Sequence, residues 1–316
     1  MPAVAAGIAR PAWSVMIPIH NAAKFLGQTL RSVLAQDQGS ERMQIVVVDD
    51  ASDADDPEEI VSRVGGGRVQ FVRQPRNVGL IANFQTCLEL ASGEFVHQLH
   101  GDDWVEPGFY EAMERGFLAG AGAAFSASRY VDDDGIEVGR TPPLLSTPGF
   151  LTEPSALLAR EQVIMTPSMA VRRSVYEALG GFDRRLAACE DWEMWVRISS
   201  QFAVWHDPNY LACYRMHRNS SSAAKLQSGA DMAYARRVIS MMAEYVPADV
   251  RASVQRDARR TYAYSALGVA RRELAANRAA VARAQAREAV LTYATPTVLA
   301  RAASIAIKSF LRGFRS

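Results

Sequence analysis

The clearest chemical signal in the sequence is the segment Leu99-His100-Gly101-Asp102-Asp103-Trp104, which follows the strand-like run 95–98. Adjacent carboxylates at the end of a buried strand must be paired or bind a metal ion, because an isolated buried charge is costly. Carboxylate oxygens suit Mg²⁺ or Mn²⁺ carrying a diphosphate. Gly101 would let a ligand approach the backbone closely. The segment predicts a divalent metal site, with a solvated surface turn as the alternative.

Two more strand-like runs end in polar residues. His20 follows the run 15–19, and Asp49-Asp50 follow the β-branched run 45–48. Ligands of parallel sheets bind beyond the carboxyl ends of the strands. We therefore expect His20, Asp50 and Asp102 to converge on one crevice. A capping turn is the alternative for Asp49-Asp50 and for His20.

The pattern of the first hundred residues predicts the order β-α-β-α-β-α-β. Strand-like runs at 15–19, 45–48, 69–72 and 95–99 alternate with three helical segments, and Asn21 is placed to cap the first helix. A continuous β-branched strand is typical of a sheet covered on both faces. We expect an α/β fold with a mostly parallel, Rossmann-like sheet flanked by helices.

The composition is ordinary for a soluble globular enzyme, with 49% hydrophobic and 22% charged residues among 316. Cys87, Cys189 and Cys213 have no metal-ligand spacing and form no disulfide framework, which favours a reducing compartment. The sequence shows no signal-peptide pattern and no apolar run long enough to span a bilayer. We expect a cytoplasmic protein that could also attach peripherally to the inner face of the cell membrane.

Positive charge is concentrated in the C-terminal third. Residues 225–316 carry 16 Lys and Arg against 6 Asp and Glu, a net charge of +10, whereas residues 1–224 carry a net charge of −9. We therefore divide the chain into a catalytic domain, 1–224, and a basic Ala- and Arg-rich helical region, 225–316. Two or three helices are expected over 227–287, and Thr295-Pro296 predicts the start of a last helix.

The last predicted helix has two chemically different faces. One is basic and carries Arg301, Ser304, Lys308, Arg312 and Arg315, and the other is apolar and carries Leu299, Ala303, Ala306, Ile307, Phe310, Leu311 and Phe314. This pattern is typical of a helix that lies on an anionic membrane surface. An ordinary packed helix with a solvated basic side is the alternative, and Ile305 near the basic face counts against a clean amphipathic helix.

Six ordered motifs resemble those of family 2 glycosyltransferases of the GT-A fold. They are the segments 14–21, 46–53, Arg76-Asn77-Val78-Gly79, His100-Gly101-Asp102-Asp103, Gly180-Gly181-Phe182-Asp183 with Glu190-Asp191-Trp192, and Tyr214-Arg215-Met216-His217. The resemblance covers about residues 13–222, and the order of the motifs is more specific than any one of them. The spacing from Asn77 to Asn83-Phe84 is most similar to the rhamnosyltransferase-like branch.

The resemblance implies roles on the nucleotide side of the site. Pro18 and His20 would line the nucleotide pocket, and Asp50 would accept an N–H of the base. Asn77 would bind the donor there, with a purely turn-forming role as the alternative.

The resemblance also implies a metal side. Asp102 would ligate Mg²⁺ or Mn²⁺, and His217 would lie near the metal or the diphosphate. Gly101 and Asp103 would bind the donor, although Asp103 could instead only hold its loop. His100 stands where the family usually has the first Asp of its Asp-x-Asp signature. An imidazole there could bond a ribose hydroxyl or ligate Mn²⁺.

For catalysis, the resemblance implies Asp191 as the general base that deprotonates the acceptor hydroxyl, with inversion at the anomeric carbon. Glu190 beside Asp191 would raise one pKa of the pair, because like charges oppose ionisation. The metal ion would offset charge on the leaving diphosphate. A negatively charged first helical turn is the alternative for Asp191.

The sequence therefore favours an inverting glycosyltransferase that uses a UDP or dTDP sugar in bacterial polysaccharide or glycoconjugate synthesis. The expected partners are a nucleotide-sugar donor, a saccharide or lipid-linked saccharide acceptor, an anionic membrane surface at the C-terminal helix, and no nucleic acid. The alternatives are a non-catalytic nucleotide-sugar-binding module and a sugar nucleotidyltransferase. The latter needs a Gly-rich phosphate loop where this chain has Ile19-His20-Asn21-Ala22-Ala23.

Overall fold

The computed structural model describes residues 10–217 and 220–313. Strands and helices alternate first as β1 (Trp13–Ile19), α1 (Ala23–Leu34), β2 (Met43–Asp49), α2 (Pro57–Gly65), β3 (Gln70–Arg73), α3 (Leu80–Leu90) and β4 (Phe95–Gln98). The chain continues as β5 (Trp104–Val105), α4 (Phe109–Leu118), β6 (Ala123–Val131), β7 (Glu137–Arg140), β8 (Gly149–Phe150), α5 (Pro154–Leu158), β9 (Met169–Arg172), α6 (Arg173–Leu179), α7 (Glu190–Ser199) and β10 (Val204–Arg215). The last helices are α8 (Ser221–Ser228), α9 (Ala230–Met241), α10 (Arg251–Ala275), α11 (Ala279–Thr292) and α12 (Pro296–Gly313).

The described strands form one mixed sheet in the order β3-β2-β1-β4-β9-β6-β10-β5, with β7 beside β6 and β8 beside β10. The first four strands in this order are parallel, as predicted. β9 then runs antiparallel to both β4 and β6, so the sheet is less parallel than expected. The α/β class is confirmed. The antiparallel strand was missed because its partners are distant in the sequence.

The β1 and β2 strands are buried on both faces. Trp13, Val15 and Ile17 belong to a core that α1 and α4 complete, while Met16 and Val46 are equally inaccessible on the opposite face. Continuous apolar strands form here because neither face meets water. The polar residues that follow these strands are thereby held at one edge of a rigid sheet.

The start of α1 differs from the prediction that Asn21 caps it. Asn21 has a left-handed φ of 52°, and its side-chain oxygen accepts the N–H groups of Asp53 and Ala54 over 3.0 Å each. The N–H of Ala23 instead donates to Asp55 over 2.8 Å. A loop that is distant in sequence therefore caps this helix, which a local pattern could not reveal.

The chain divides into two compact units that are interleaved in the sequence. The sheet unit contains the described residues of 1–154, 163–185 and 197–216, and with them every described strand. The helical unit contains 155–162, 186–196 and the described residues from 217 onward. Its core is rich in alanine, including Ala263, Ala266 and Ala270 of α10 and Ala282 and Ala286 of α11. Small side chains at these contacts let helix axes approach closely.

Helix α12 begins at Pro296, as predicted, and Oγ1 of Thr295 accepts the N–H of Val298 over 3.4 Å. The helix packs into the core of the helical unit through Val298, Ala302 and Ile305. The predicted apolar face remains exposed, with Leu299 at 48%, Ile307 at 61%, Phe310 at 65% and Leu311 at 58%. Phe314 and Arg315 of the predicted faces lie outside the described residues.

Candidate functional site

Three potential metal ligands converge in the loop that follows β4. His100, Asp102 and Asp103 each offer a ligand atom, and these atoms lie within 4.8 Å of one another. The imidazole of His100 stacks on Phe84 of α3 with ring centroids 5.2 Å apart. One imidazole nitrogen and two carboxylates form a donor set that suits Mn²⁺ or Mg²⁺.

Asp103 is the most buried of the three, with 1% of its surface exposed. Its Oδ1 accepts the backbone N–H of Arg215 over 2.8 Å. Its Oδ2 lies 3.6 Å from Nδ1 of His100 and accepts no hydrogen bond from the described residues. Burial and the charge of Asp102 raise the pKa of the Asp103 carboxyl well above its ordinary value. A bound divalent cation would offset both effects, so these residues fit a metal ion.

Arg215, at the end of β10, ties this loop to distant segments, a role that the sequence analysis missed. Its guanidinium donates hydrogen bonds of 2.7–3.0 Å to Oε1 of Gln28 and to the backbone oxygens of Asp102, Asp132 and Asp133. It also lies over the rings of Phe25 and Trp104. Arg215 stands two residues before His217 in the last motif, and this position is the signal in the sequence that indicates a functional role for it.

Gly101 has a packing role. A Cβ at this position would lie 2.3 Å from Cγ2 of Ile19 and 3.6 Å from Cβ of Ala22. Glycine therefore lets the β4 loop pack against the end of β1, whatever ligand it also admits. The hydroxyl of Thr29 donates to the backbone oxygen of Asp103 over 2.7 Å, which holds the same loop on α1.

His20, Asp50 and Asn77 lie together at the carboxyl ends of β1 and β2. Nδ1 of His20 lies 3.0 Å from the backbone oxygen of Asp50, and its Nε2 lies 3.2 Å from Nδ2 of Asn77. The two carboxylate oxygens of Asp50 accept the N–H groups of Val78 and Gly79 over 2.7 and 2.9 Å. Each oxygen retains a second lone pair that a nucleobase N–H could use.

Two neighbouring positions lie in the interior. Pro18 is buried within β1, where it pairs with Val48 of β2. Asp49 is fully buried and accepts hydrogen bonds from Ser52 over 2.5 Å and from Arg73 over 2.7 Å. The Asp49 side chain is therefore engaged in hydrogen bonds within the protein. This agrees with the alternative interpretation of Asp49 as part of a capping turn rather than a ligand-binding residue.

Asp191 and Glu190 begin α7 in the helical unit. Nε2 of Gln162 lies 2.8 Å from both carboxylate oxygens of Asp191. Glu190 is 7% exposed, and its Oε2 accepts no hydrogen bond from the described residues. Burial, followed by the charge of Asp191, raises the pKa of Glu190 to about 7. A carboxyl that titrates near neutrality can exchange protons readily.

Gln162 and Tyr262, two residues that carry no motif signal in the sequence, lie near Asp191. Trp192 donates its indole N–H to the backbone oxygen of Leu158 over 2.8 Å and stacks on Tyr262 of α10 with ring centroids 4.9 Å apart. Burial raises the pKa of the Tyr262 hydroxyl well above its ordinary value, and the neighbouring backbone of Gln162 acts in the opposite sense. Neither Gln162 nor Tyr262 falls in a motif, so only the folded chain reveals them.

His217 belongs to the helical unit and is half-buried. Its backbone oxygen accepts the N–H of Ser220 over 3.2 Å. Arg218 and Asn219, which continue its motif, lie outside the described residues. The role of His217 near a metal or diphosphate stays a prediction.

A cavity of about 380 Å³ lies at the opposite edge of the sheet, near the starts of β2 and β3. Met43, Gln44, Arg68 and Gln70 are among its lining residues. None of the predicted site residues lines it, so it is separate from the polar groups at the carboxyl ends.

Comparison with known proteins identifies the family of this chain. The model of glycosyl transferase family 2 matches residues 14–180, more than half of the chain. An uncharacterized protein of Mycobacterium tuberculosis is 31% identical over 220 residues, which are 66% of this chain and 68% of that protein. The matching region spans only 19% of the length of another curated relative, a chondroitin synthase of Pasteurella multocida.

Solved structures share the fold. Staphylococcus aureus TarS in complex with UDP-GlcNAc superposes with a TM-score of 0.66 at 16% identity, over 94% of this chain and 89% of that one. The mannosyltransferase PcManGT of Pyrobaculum calidifontis, in complex with GDP-Man and Mn²⁺, has a TM-score of 0.59 at 18% identity, over 94% and 81% of the two chains. With the family match over more than half of its length, this chain belongs to glycosyl transferase family 2 and has the GT-A fold.

Proposed function

We propose that the protein transfers a sugar from a nucleotide diphosphate sugar to an acceptor hydroxyl. The observation that carries the proposal is the His100–Asp102–Asp103 cluster after β4. The His20–Asp50–Asn77 group follows β1 and β2, and β1 lies between β2 and β4 in the sheet. The two groups therefore occupy neighbouring strand ends, where a nucleoside and its diphosphate could bind side by side.

The proposed cofactor is Mg²⁺ or Mn²⁺, held by Asp102 with His100 and Asp103 and with His217 as a further proposed ligand. When bound, the ion would act as a Lewis acid that stabilises the leaving diphosphate. The Mn²⁺ and GDP-Man bound by the Pyrobaculum enzyme and the UDP-GlcNAc bound by TarS support this class of donor. For this chain we propose a UDP or dTDP sugar.

The proposed base is Asp191, which would accept the proton of the acceptor hydroxyl as it attacks in a single displacement. That displacement inverts the anomeric carbon. Glu190 is the rival base, because its pKa of about 7 suits proton transfer at neutral pH. The proposed acceptor is a saccharide or lipid-linked saccharide of bacterial polysaccharide or glycoconjugate synthesis.

We further propose that the exposed apolar face of α12 lies on an anionic membrane surface, which would place the protein at the inner face of the cell membrane. Arg301 and Lys308 of this helix are also exposed, and α12 contains no Asp or Glu. Basic residues near an apolar surface attract anionic headgroups. Among the described residues, no helix combines the length and apolarity needed to cross a membrane.

A thermal-shift panel tests the proposed donor and metal. The panel would include UDP, dTDP, GDP, UDP-GlcNAc and GDP-mannose, each with Mn²⁺, with Mg²⁺ and with excess chelator. A ligand at about 100 times its Kd stabilises by about 2.7 kcal/mol, so the preferred donor should raise the melting temperature clearly. Shifts that need the cation and a subsequent release of nucleoside diphosphate support an enzyme. Shifts without any turnover support the non-catalytic alternative.

A further inference from the structure

We propose that Gln162 is a positioning residue for Asp191, and that Tyr262 of the C-terminal helical region holds Gln162 in place. This inference rests on the proposed role of Asp191 as the base. It assigns a catalytic support role to residues outside every motif of the sequence. It also assigns part of the base's environment to α10, which begins more than fifty residues after α7 ends.

The first observation is the geometry between Gln162 and Asp191. The amide nitrogen of Gln162 is equidistant, at 2.8 Å, from the two carboxylate oxygens. The backbone N–H of Trp192 also donates to Oδ1 of Asp191 over 2.8 Å. A carboxylate that is bonded at both oxygens has a fixed rotation about its last bond, so its remaining lone pairs point in defined directions.

The second observation is the support of Gln162 itself. Its backbone lies beside the oxygen of Tyr262 and lowers the pKa of that hydroxyl, against the larger raising effect of burial. The Tyr262 ring stacks on Trp192 with an interplanar angle of 18°. Trp192 in turn donates to the backbone oxygen of Leu158, four residues before Gln162. The segment 155–162, the start of α7 and α10 are therefore in contact within the helical unit, through the Trp192–Leu158 hydrogen bond and the Trp192–Tyr262 stacking.

A base needs both orientation and ionisation. A misplacement of about 1 Å can lower a rate by about 100-fold, so fixed carboxylate geometry matters. An amide N–H also favours the ionised carboxylate, because it donates to the charged form. Gln162 cannot itself accept a proton through its amide nitrogen, so it supports the base without competing with it.

The charged groups near Asp191 explain why a neutral hydrogen-bond donor suits the position of Gln162. The titratable groups that interact with Asp191 or with its neighbours here are Glu161, Cys189, Glu190, Lys225, Asp231 and Tyr262. Asp191 opposes ionisation of Glu190 through like charge, and Lys225 acts on Glu190 and Cys189 in the opposite sense. A neutral donor at Gln162 orients the carboxylate without adding another charge to this group.

Two substitutions with matched controls test the proposal. Gln162→Met keeps the length of the side chain and removes its N–H groups, and Tyr262→Phe keeps the ring and removes the hydroxyl. Gln85→Met is the control for the first, since Gln85 also donates to a carboxylate, that of Glu89 over 3.0 Å, but lies in the sheet unit. Tyr264→Phe, two residues along α10, is the control for the second.

The assay measures release of nucleoside diphosphate, with water as acceptor, from whichever of UDP-GlcNAc and GDP-mannose gives the larger thermal shift. We expect Gln162→Met to lower kcat by about 10- to 100-fold while the KM for donor stays within about twofold. The acid limb of its pH–rate profile should move to higher pH, because the carboxylate loses a donor. Tyr262→Phe should show a smaller effect of the same kind, and both controls should match the wild type.

The outcomes separate this inference from the function on which it rests. If Asp191→Asn is inactive while Gln162→Met keeps normal kcat, the positioning role is overturned and the base survives. If Gln162→Met loses activity without any movement of the acid limb, its role is merely structural and the proposal is also overturned. Normal turnover of Asp191→Asn would instead overturn the proposed base.

Discussion

The backbone N–H of Arg215 donates to the buried carboxylate of Asp103 over 2.8 Å. This bond joins the end of β10 to the loop that carries the proposed metal ligands. The guanidinium of Arg215 adds a bond to the backbone oxygen of Asp102 over 3.0 Å. The geometry of this loop therefore depends on a strand more than a hundred residues later in the chain.

Substitution Arg215→Met should destabilise the protein by about 3 kcal/mol, because Arg215 is buried and several hydrogen bonds from its charged guanidinium are lost together. Urea unfolding of the whole protein would measure this. Arg140→Met is a matched control, since Arg140 is exposed and its solvent-screened ion pair with Glu137 should contribute little to stability. Equal losses in the two variants would contradict the role given to Arg215.

Substitution Asp102→Ala should abolish the cation-dependent part of nucleotide binding. Asp102 is the proposed metal ligand and is less enclosed than Asp103, which already bonds Arg215. Calorimetry with UDP in Mn²⁺ and in excess chelator would show the effect, with Asp134→Ala in an exposed loop as the control. Equal affinity of the wild type for UDP with and without the cation would refute the metal site.

Substitution Asp191→Asn should keep donor and metal binding but lower transfer by roughly 10²–10⁴-fold, the usual contribution of general base catalysis. Asparagine is nearly isosteric but cannot take the proton. Glu190→Gln should cost less, if Glu190 only tunes its neighbour. A larger loss in Glu190→Gln than in Asp191→Asn would move the base by one residue and leave the reaction class unchanged.

Glu190 should make stability depend on pH in the direction opposite to an ordinary surface carboxylate. Its folded pKa of about 7 lies above the ordinary 4.5, so the folded state holds the proton more tightly than the unfolded state. The free energy of unfolding should therefore fall as pH rises from 4.5 to about 7, by about 3 kcal/mol in total.

Urea unfolding at pH 5 and pH 8 would measure this dependence. In the Glu190→Gln variant, the decrease in the free energy of unfolding between pH 5 and pH 8 should largely disappear. The variant should therefore be more stable than the wild type at pH 8. Glu244→Gln is the control, because Glu244 is exposed in the same unit. If Glu190→Gln shows the same fall as the wild type, some other group causes the dependence.

The α12 face should bind anionic vesicles. The full chain should sediment with phosphatidylserine-containing liposomes, and the chain truncated after Tyr293 should do so markedly less. The double substitution Ile307→Asn with Phe310→Asn should weaken sedimentation without removing the packing residues Val298 and Ile305.

Leu118→Asn is the matched control for that experiment, because Leu118 is an 86% exposed apolar residue in the sheet unit. Binding should weaken as salt rises, since screening shortens the reach of the basic charges. If the full chain stays in the supernatant at low salt, the membrane proposal is wrong.

The sequence alone determined the features that depend on neighbours along the chain. The alternating strands and helices as far as β4, the start of α12 at Thr295-Pro296 and the family motifs around Asp50 and Asp102 could all be predicted. Each depends on local periodicity, on capping chemistry or on the order of short motifs. The positions of His20 and Asp50 at one sheet edge followed as well, because parallel strands align their carboxyl ends.

Only the tertiary structure decided the features that join distant segments. The antiparallel β9, the capping of α1 by Asp55, the anchoring of the metal loop by Arg215 and the assembly around Gln162 all rest on such contacts. In α12 the sequence identified an apolar face, but the fold buried Ile305 and left Phe310 exposed. Hydrophobic patterning shows that a face is apolar, but the neighbours that cover it come from elsewhere in the chain, and only the folded arrangement supplies them.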